Sequence, residues 1–529
     1  METDEENSDE SNSKIVKPPD KREKKTDYKN IVDGEREMFL DQYGEAYMRI
    51  DVKGHKETWS IKSAHARGIL IQKMMSKGIV PSTERFTTLK NLLEGEAYVS
   101  EKKYDIFNRV AKLDGSIWLD LTNNNHDAIE ISEGIWKKKA TPKPLFCRYN
   151  HHKPLTVEPG SKEAFDRFIS LLNLKDNEAN HQTRLIMGYI GTLLHPSIPK
   201  AVLLPVGTQG SAKSTMLEQI RSLADPSATI TLSIPRQSNE LERVINHHYC
   251  AFFDNIQHLS SSQSDVLCRA CTGAGINKRM LFTDDDDYIC HYVRAVALNG
   301  ITPYGFGMDL LDRSIRIELE RIPDEKRREL ELLRREYAEL QPAATGYLLD
   351  CFAAALVNRD EVRADMPRLS RMADFIIMGE SVSREMGLAR GAWYNTYKQA
   401  TQQQNIDSIL NTTLGSAIYH FISNDERFEG TPSELLKELK ISAEYLGSNV
   451  KASDFPQNAN TLSRRLTTMS PGLEAMGIRV IKARGHDRII KLYFTGEEGL
   501  EQTTLSDANA SQENNATRDA TRRFMGWKK

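Results

Sequence analysis

Residues 201–215 read Ala-Val-Leu-Leu-Pro-Val-Gly-Thr-Gln-Gly-Ser-Ala-Lys-Ser-Thr, and this stretch decides the fold class. The apolar run Ala201–Leu204 enters a glycine-bearing loop that ends in Lys213-Ser214-Thr215, and helical spacing follows over Met216–Leu223. Strand, loop and helix in that order let backbone N–H groups curl around phosphate oxygens. Gly207 and Gly210 supply positive φ at little steric cost, and the helix N-terminus adds positive potential. The candidate nucleotide cradle is therefore Gly207, Thr208, Gln209, Gly210, Ser211, Ala212, Lys213, Ser214 and Thr215. Lys213 is placed to reach the β- and γ-phosphates of ATP, and Ser214 to ligate Mg²⁺. Two residues depart from the usual pattern. Ala212 stands where a glycine normally precedes the lysine, which is tolerable if its φ is negative. Pro205 falls at a strand end, where the missing N–H costs little.

Three further segments extend the reading outward. In Tyr249-Cys250-Ala251-Phe252-Phe253-Asp254-Asn255 an apolar strand ends in a carboxylate, which suits Asp254 to hold Mg²⁺ through water. Asn255 occupies the place where many ATPases carry a glutamate; an amide orients water but cannot accept its proton. Ala295–Leu298 is another apolar strand, ending in Asn299-Gly300, and Asn299 fits a sensor that orients the attacking water. Leu310-Leu311-Asp312-Arg313-Ser314-Ile315-Arg316 places Arg313 where a finger can be offered to a neighbouring subunit's nucleotide, with Arg316 as second choice. Lys213, Asp254, Asn255, Asn299 and Arg313 are the candidate catalytic residues, and Ser214 and Asp254 the candidate Mg²⁺ ligands. Cys268 and Cys271 form a C-x-x-C without a second such pair, so core packing is a better reading than zinc.

The order of these motifs resembles the AAA+ ATPase cores of superfamily 3 helicases, with the nearest likeness to poxvirus- and phage-type primase-helicases. The run GTQGSAKST…FFDN…SDVLCRACTG…INKRMLFTD…VALNGI…DLLDRSIRIEL, with Arg371-Met372-Ala373-Asp374-Phe375 beyond it, looks like the ATP-binding replication proteins of archaeal and bacterial mobile elements. The likeness covers about Lys162 to Gln402. It implies an α/β fold: a P-loop AAA+ core with a parallel sheet and flanking helices, assembled as a hexameric ring. It also implies a hairpin over Asn277–Val293 that faces DNA in the ring's channel, where Lys278 and Arg279 would contact it. The acidic run Asp284–Asp287 would repel phosphates, so the hairpin tip reads as a solvated turn.

Composition bounds the rest. The 529 residues allow several domains, and 71 Lys+Arg against 74 Asp+Glu give a net charge of −3, so any nucleic-acid surface must be local. Apolar runs such as Ala201–Val206 and Cys351–Val357 fall far short of the ~20 residues that span a bilayer. The acidic N-terminus is unlike a signal peptide. A cytoplasmic protein without membrane contact is expected.

Residues 1–30 and 496–529 read as disordered tails, and 31–160 as an α+β accessory domain. In the latter, Asp120 and His126 lack the paired carboxylates of a polymerase-like site, which leaves room for a separate primase as partner. The core is expected over 161–404. Over 405–495, three short helices and a hairpin read as a winged helix. Between Lys451 and Phe494 eight bases stand against three acids, an excess that suits phosphate contact. Arg464, Arg465, Lys482, Arg484 and Arg488 join Lys278 and Arg279 as candidate DNA contacts. The expected function is an ATP-dependent, helicase-like DNA motor for replication of a mobile element or virus. The alternative is an ATP-switched initiator or loader.

Overall fold

The computed structural model describes residues 31, 36–52, 54–176, 180–273, 275–279, 287–290, 292–300, 308–366, 371–425, 427–452, 454–483 and 489–495. Both expected tails lie outside this set. Two compact units divide between Tyr104 and Asp105.

The first unit has strands β1 (Arg36–Leu40), β2 (Ala46–Val52) and β3 (His55–Ser60), then helices α1 (Ala64–Ser76) and α2 (Thr83–Val99). The strands form an antiparallel meander, with Met38 opposite Met48 and Met48 opposite Trp59. Its apolar face closes on Leu70, Met74, Leu89 and Leu93 of the helices. Ser63 and Ser82 cap the helices by accepting from Ala66 N and Arg85 N.

The second unit opens with β4 (Ile106–Phe107) and the antiparallel meander β5 (Val110–Leu113), β6 (Ser116–Asp120), β7 (Ala128–Ser132) and β8 (Ile135–Lys139), followed by β9 (Leu145–Phe146). Ile117, Leu119, Ile129 and Ile131 belong to the same apolar core as Leu203, Leu217 and Ile315. The division expected near residue 160 therefore falls at 104. The meander's apolar face is buried against the central core. Asp120 is also structural: buried, it accepts from Arg148 Nη2 at 2.6 Å and Nε at 3.0 Å.

Next come α3 (Lys162–Ser170), α4 (His181–Thr192), β10 (Val202–Val206), α5 (Lys213–Ser222), α6 (Ser238–His247), β11 (Cys250–Ile256) and α7 (Ser261–Thr272). The hairpin β12 (Ile276–Arg279) and β13 (Asp287–Cys290) precedes β14 (Ala295–Gly300), α8 (Met308–Leu311) and β15 (Ser314–Glu318). A wholly parallel sheet runs β11-β14-β10-β15, with Phe252 beside Ala297 and Leu203 between Ala297 and Ile315. Strands buried on both faces need near-continuous apolar runs, which 201–204, 249–253 and 295–298 provide. Cys268 and Cys271 are buried on α7, and burial raises both thiol pKa values, that of Cys268 to about 12.

Long helices α9 (Leu330–Ala364), α10 (Ala373–Glu385) and α11 (Ala392–Leu410) complete this core. Part of α9 is apolar enough, with a mean hydropathy of 1.3, to cross a membrane, but half of that stretch is buried inside the protein. Leu348, Leu349 and Phe352 on it are core residues. Trp393 is fully buried between two glycines: a Cβ on Gly188 would lie 2.0 Å from its Nε1, and one on Gly379 would lie 2.6 Å from its ring.

The C-terminal module has α12 (Thr413–Asp425), β16 (Arg427–Gly430), α13 (Pro432–Tyr445), α14 (Ala459–Ala475), β17 (Ile478–Ala483) and β18 (Ile489–Phe494). Its antiparallel sheet is ordered β16-β18-β17, so the expected hairpin gains a third strand. Its apolar core is separate, and α11 contributes to both: Trp393 and Tyr397 to the first, Ile406, Ile409 and Leu410 to the second.

Candidate nucleotide site

Residues 207–212 connect the end of β10 to α5. A Cβ on Gly207 would meet Ser211 Oγ at 2.5 Å and Leu319 O at 2.9 Å, so no larger residue fits. Gly210, at the exposed tip, has φ +81°, and Thr208 and Gln209 share that exposed rim. Ala212 has φ +64°, so the condition under which its methyl group is easily tolerated is not met. Its carbonyl accepts from Met216 N at 2.9 Å, so the left-handed residue starts the helix directly. That conformation costs an L-residue about 1–2 kcal/mol, strain stored where the loop turns into the helix.

Lys213 folds back into the loop, donating to Gly207 O at 2.8 Å and Thr208 O at 3.0 Å. Burial lowers its pKa and Asp254 opposes that shift. Neutral carbonyls are modest partners for an ammonium, so an anion entering the loop gives it a stronger one. Thr215 follows, half-buried, in the first turn of α5.

Asp254 and Asn299 end the adjacent strands β11 and β14, at the carboxyl edge of the parallel sheet where ligands of open α/β sheets bind. Ser214 Oγ donates to Asp254 Oδ2 at 2.6 Å, and Asn299 Nδ2 to Asp254 Oδ1 at 2.5 Å. Three segments far apart in sequence thus meet within hydrogen-bond reach of Lys213's loop. Asn299 Oδ1 is buried and has no hydrogen-bond partner among the described residues. The Ser214 hydroxyl and the Asp254 carboxylate offer oxygen donors of the kind that suits a hard divalent cation such as Mg²⁺, while Asn299 turns its Nδ2 towards both. Asn255 lies beside them, exposed, at φ 57°, where the β11–β14 register shifts. Its own N–H donates to Asp254 Oδ1 at 2.7 Å.

Arg313 does not project as a finger needs to. It is 8% exposed, donates Nη1 to Asp309 O at 2.8 Å and pairs with the Asp309 carboxylate. It lies within its own subunit, beneath α8. The exposed Arg371 reaches the same Asp309 at 3.1 Å. Arg316 on β15 pairs with Glu318 at 2.8 Å and with Asp407 of α11 at 2.6 Å.

The basic candidates fare unevenly. Lys278 and Arg279 lie on β12, paired with Tyr288 and Asp287, but their side chains and residues 280–286 lie outside the described set. Arg464 is exposed on α14. Arg465 instead donates to Asp454 O, and Lys482 to Ser463 O and Thr467 Oγ1, so both are turned onto their own module. Arg484 and Arg488 lie outside the described residues.

Sequence reading missed a buried network behind α5. Asp225 accepts from Arg109 Nε at 2.9 Å and Arg221 Nη2 at 3.1 Å, and these two guanidiniums hold its pKa far below the carboxylate range despite burial. Arg221 Nη2 also meets His248 Nδ1 at 3.1 Å; since a guanidinium only donates, that nitrogen accepts and the ring is neutral. His151 stacks on His248 at 3.8 Å, and Tyr149 on His247 at 4.5 Å. Asn173 was also missed; it ties Ser211 O (3.2 Å) to Glu320 O (2.7 Å). Neither feature has a local sequence signal.

Residues 165–402 match the family model described as actinomycete integrative conjugative element replication protein. Residues 414–508 match that of the C-terminal domain of the same RepA protein. No curated protein matches the chain. Among solved structures it is similar to the apo C-terminal region of NrS-1, at 11% identity and TM-score 0.40, covering 89% of this chain and 99% of that one. It is also similar to JCV helicase bound to a thiazolopyridine acetamide compound, at 16% identity and TM-score 0.21, covering 42% of this chain and 72% of that one. Both superpositions are too loose to bear on function. The two matched regions, together more than half the chain, identify it as a member of the RepA replication proteins of actinomycete integrative conjugative elements.

Proposed function

We propose that this replication protein is an ATP-driven DNA motor: a P-loop ATPase of AAA+ type whose C-terminal module is a DNA-binding winged helix. The observation that carries the reading is the convergence of Ser214, Asp254 and Asn299 beside the loop that holds Lys213. In this reading the 207–212 amides and Lys213 bind the triphosphate, and Asn299 orients the attacking water. Ser214 and Asp254 would hold Mg²⁺, whose role is to neutralise charge on the phosphate oxygens. The basic excess over 451–494, with Arg464 exposed on α14, supports DNA as the track. Arg313 is poorly placed as a finger, so ring assembly draws on the family resemblance and not on that residue. The test is strand displacement on a forked duplex with Mg·ATP. Unwinding that Lys213→Ala removes is expected; unwinding that this change leaves intact overturns the motor.

A second reading, an ATP-switched initiator or loader, is favoured by one observation. Where a general base is needed, Asn255 offers an amide in a left-handed turn. Rapid multiple-turnover hydrolysis stimulated by single-stranded DNA counts against it.

A further inference from the structure

We propose that Arg327 is a phosphate-contacting residue of the nucleotide site, closing over the loop from the side opposite Lys213. The inference rests on the Mg·ATP reading above and adds to it a residue outside every motif in the sequence.

The segment leaving β15 is fastened along the 207–212 loop. Leu319 N donates to Val206 O at 2.8 Å, Leu319 O crowds Gly207, and Asn173 bridges Glu320 O to Ser211 O. Further along, Arg327 arrives above the exposed tip. Its Nη2 lies 3.2 Å from the point a Cβ on Gly210 would occupy. Gly210 is constrained by its positive φ, and the mobile end of Arg327 stands over it. Lys213 reaches the loop from within and Arg327 from the solvent side.

What holds Arg327 there is weak. It pairs with Asp324 at 3.1 Å, with side chains 54% and 78% exposed, and pairs so exposed contribute little. Its neighbours are better committed. Arg328 and Arg167 share Glu336, each at 2.6 Å, and Arg334 is bound to Glu218. A guanidinium has five donors and a permanent charge, and meets phosphate oxygens two at a time. Exchanging the Asp324 carboxylate for a nucleotide phosphate therefore costs little and gains a stronger partner.

The experiment measures Mg·ATP binding to the full chain by titration calorimetry for wild type, Lys213→Ala, Arg327→Ala, Arg327→Lys and Asp324→Ala. A bond to a charged group is worth enough that Arg327→Ala should weaken binding about tenfold or more, with Arg327→Lys recovering part of the loss. Asp324→Ala should leave binding unchanged or tighter, because it removes the competing carboxylate. If Arg327→Ala and Asp324→Ala weaken binding alike, Arg327 serves only its ion pair and the proposal fails. It also fails if Arg327→Ala binds like wild type while Lys213→Ala does not bind, an outcome that leaves the nucleotide reading standing. No binding by the wild type overturns both.

Discussion

The candidate nucleotide site and the C-terminal module gather their polar groups in opposite ways. Ser214, Asp254 and Asn299 are separated by tens of residues in the chain, yet parallel strands β11 and β14 and helix α5 bring Ser214 and Asn299 each within 2.6 Å of the Asp254 carboxylate. In the C-terminal module the bases crowd together in sequence, but Arg465 and Lys482 spend their donors on Asp454, Ser463 and Thr467. Charge that is close in sequence is not thereby available to a ligand. Groups distant in sequence become a site when strand ends align them.

The sharpest way to break that contrast is at the site. Asp254→Ala removes the group on which Ser214 and Asn299 converge, and phosphate release should fall by about 10²-fold or more, the scale of losing one charge-stabilising group. An unchanged rate would mean that the convergence is structural packing only.

A second test concerns the neutral imidazoles behind α5. Burial, reinforced by the positive charge of Arg221 and opposed by Asp225, lowers the pKa of His151 to about 4 and of His248 to about 3. His152 and His247 are lowered too, again chiefly by burial. A depressed folded-state pKa means the unfolded chain binds the proton first. This contribution is therefore complete above the unfolded value near 6.5 and is lost as pH falls from there towards 4. The melting temperature should drop over that window and hold steady between pH 7 and 8. His248→Asn should flatten the drop.

In the C-terminal module the exposed and the tethered arginine should part company. Arg464→Ala should weaken duplex binding and reduce the salt slope by about one. Arg465→Ala should lower the melting temperature, since its bond to Asp454 O is lost, with a smaller change in slope. Equal slopes would erase the contrast between available and committed charge. The smallest expected effect is at the loop. Ala212→Gly relieves the left-handed alanine but loosens the unfolded chain, so stability should rise by about 1 kcal/mol or less, with Mg·ATP binding retained.

The parallel core was legible because strands buried on both faces must be apolar throughout and must end in something polar. Asp254 and Asn299 are such endings. The sheet of β1–β3 was not, since half-exposed strands such as His55–Ser60 carry too little alternation to stand out from loop. β16 is four residues long with two of them exposed, and only its pairing with β18 makes it a strand. The φ of Ala212 was not legible, because nothing in an alanine reveals that the loop must turn left-handed there. Arg221 and Asp225 are four residues apart, but Arg109 comes from a distant segment, and only the tertiary fold puts the carboxylate between two guanidiniums. Asn173 and Arg327 escaped for a related reason: each lies against a loop to which it has no relation in sequence.

Helix α11 has a mechanical consequence. Its first turns are anchored by Trp393 and Tyr397, its last by Ile406 and Ile409, and Asp407 is pinned to Arg316 on the strand neighbouring β10. Such a shaft has no swivel along its length. Were the sheet edge next to the loop to shift, the torque would pass undiminished to the three-helix module, without the slack that a glycine-rich tether would introduce.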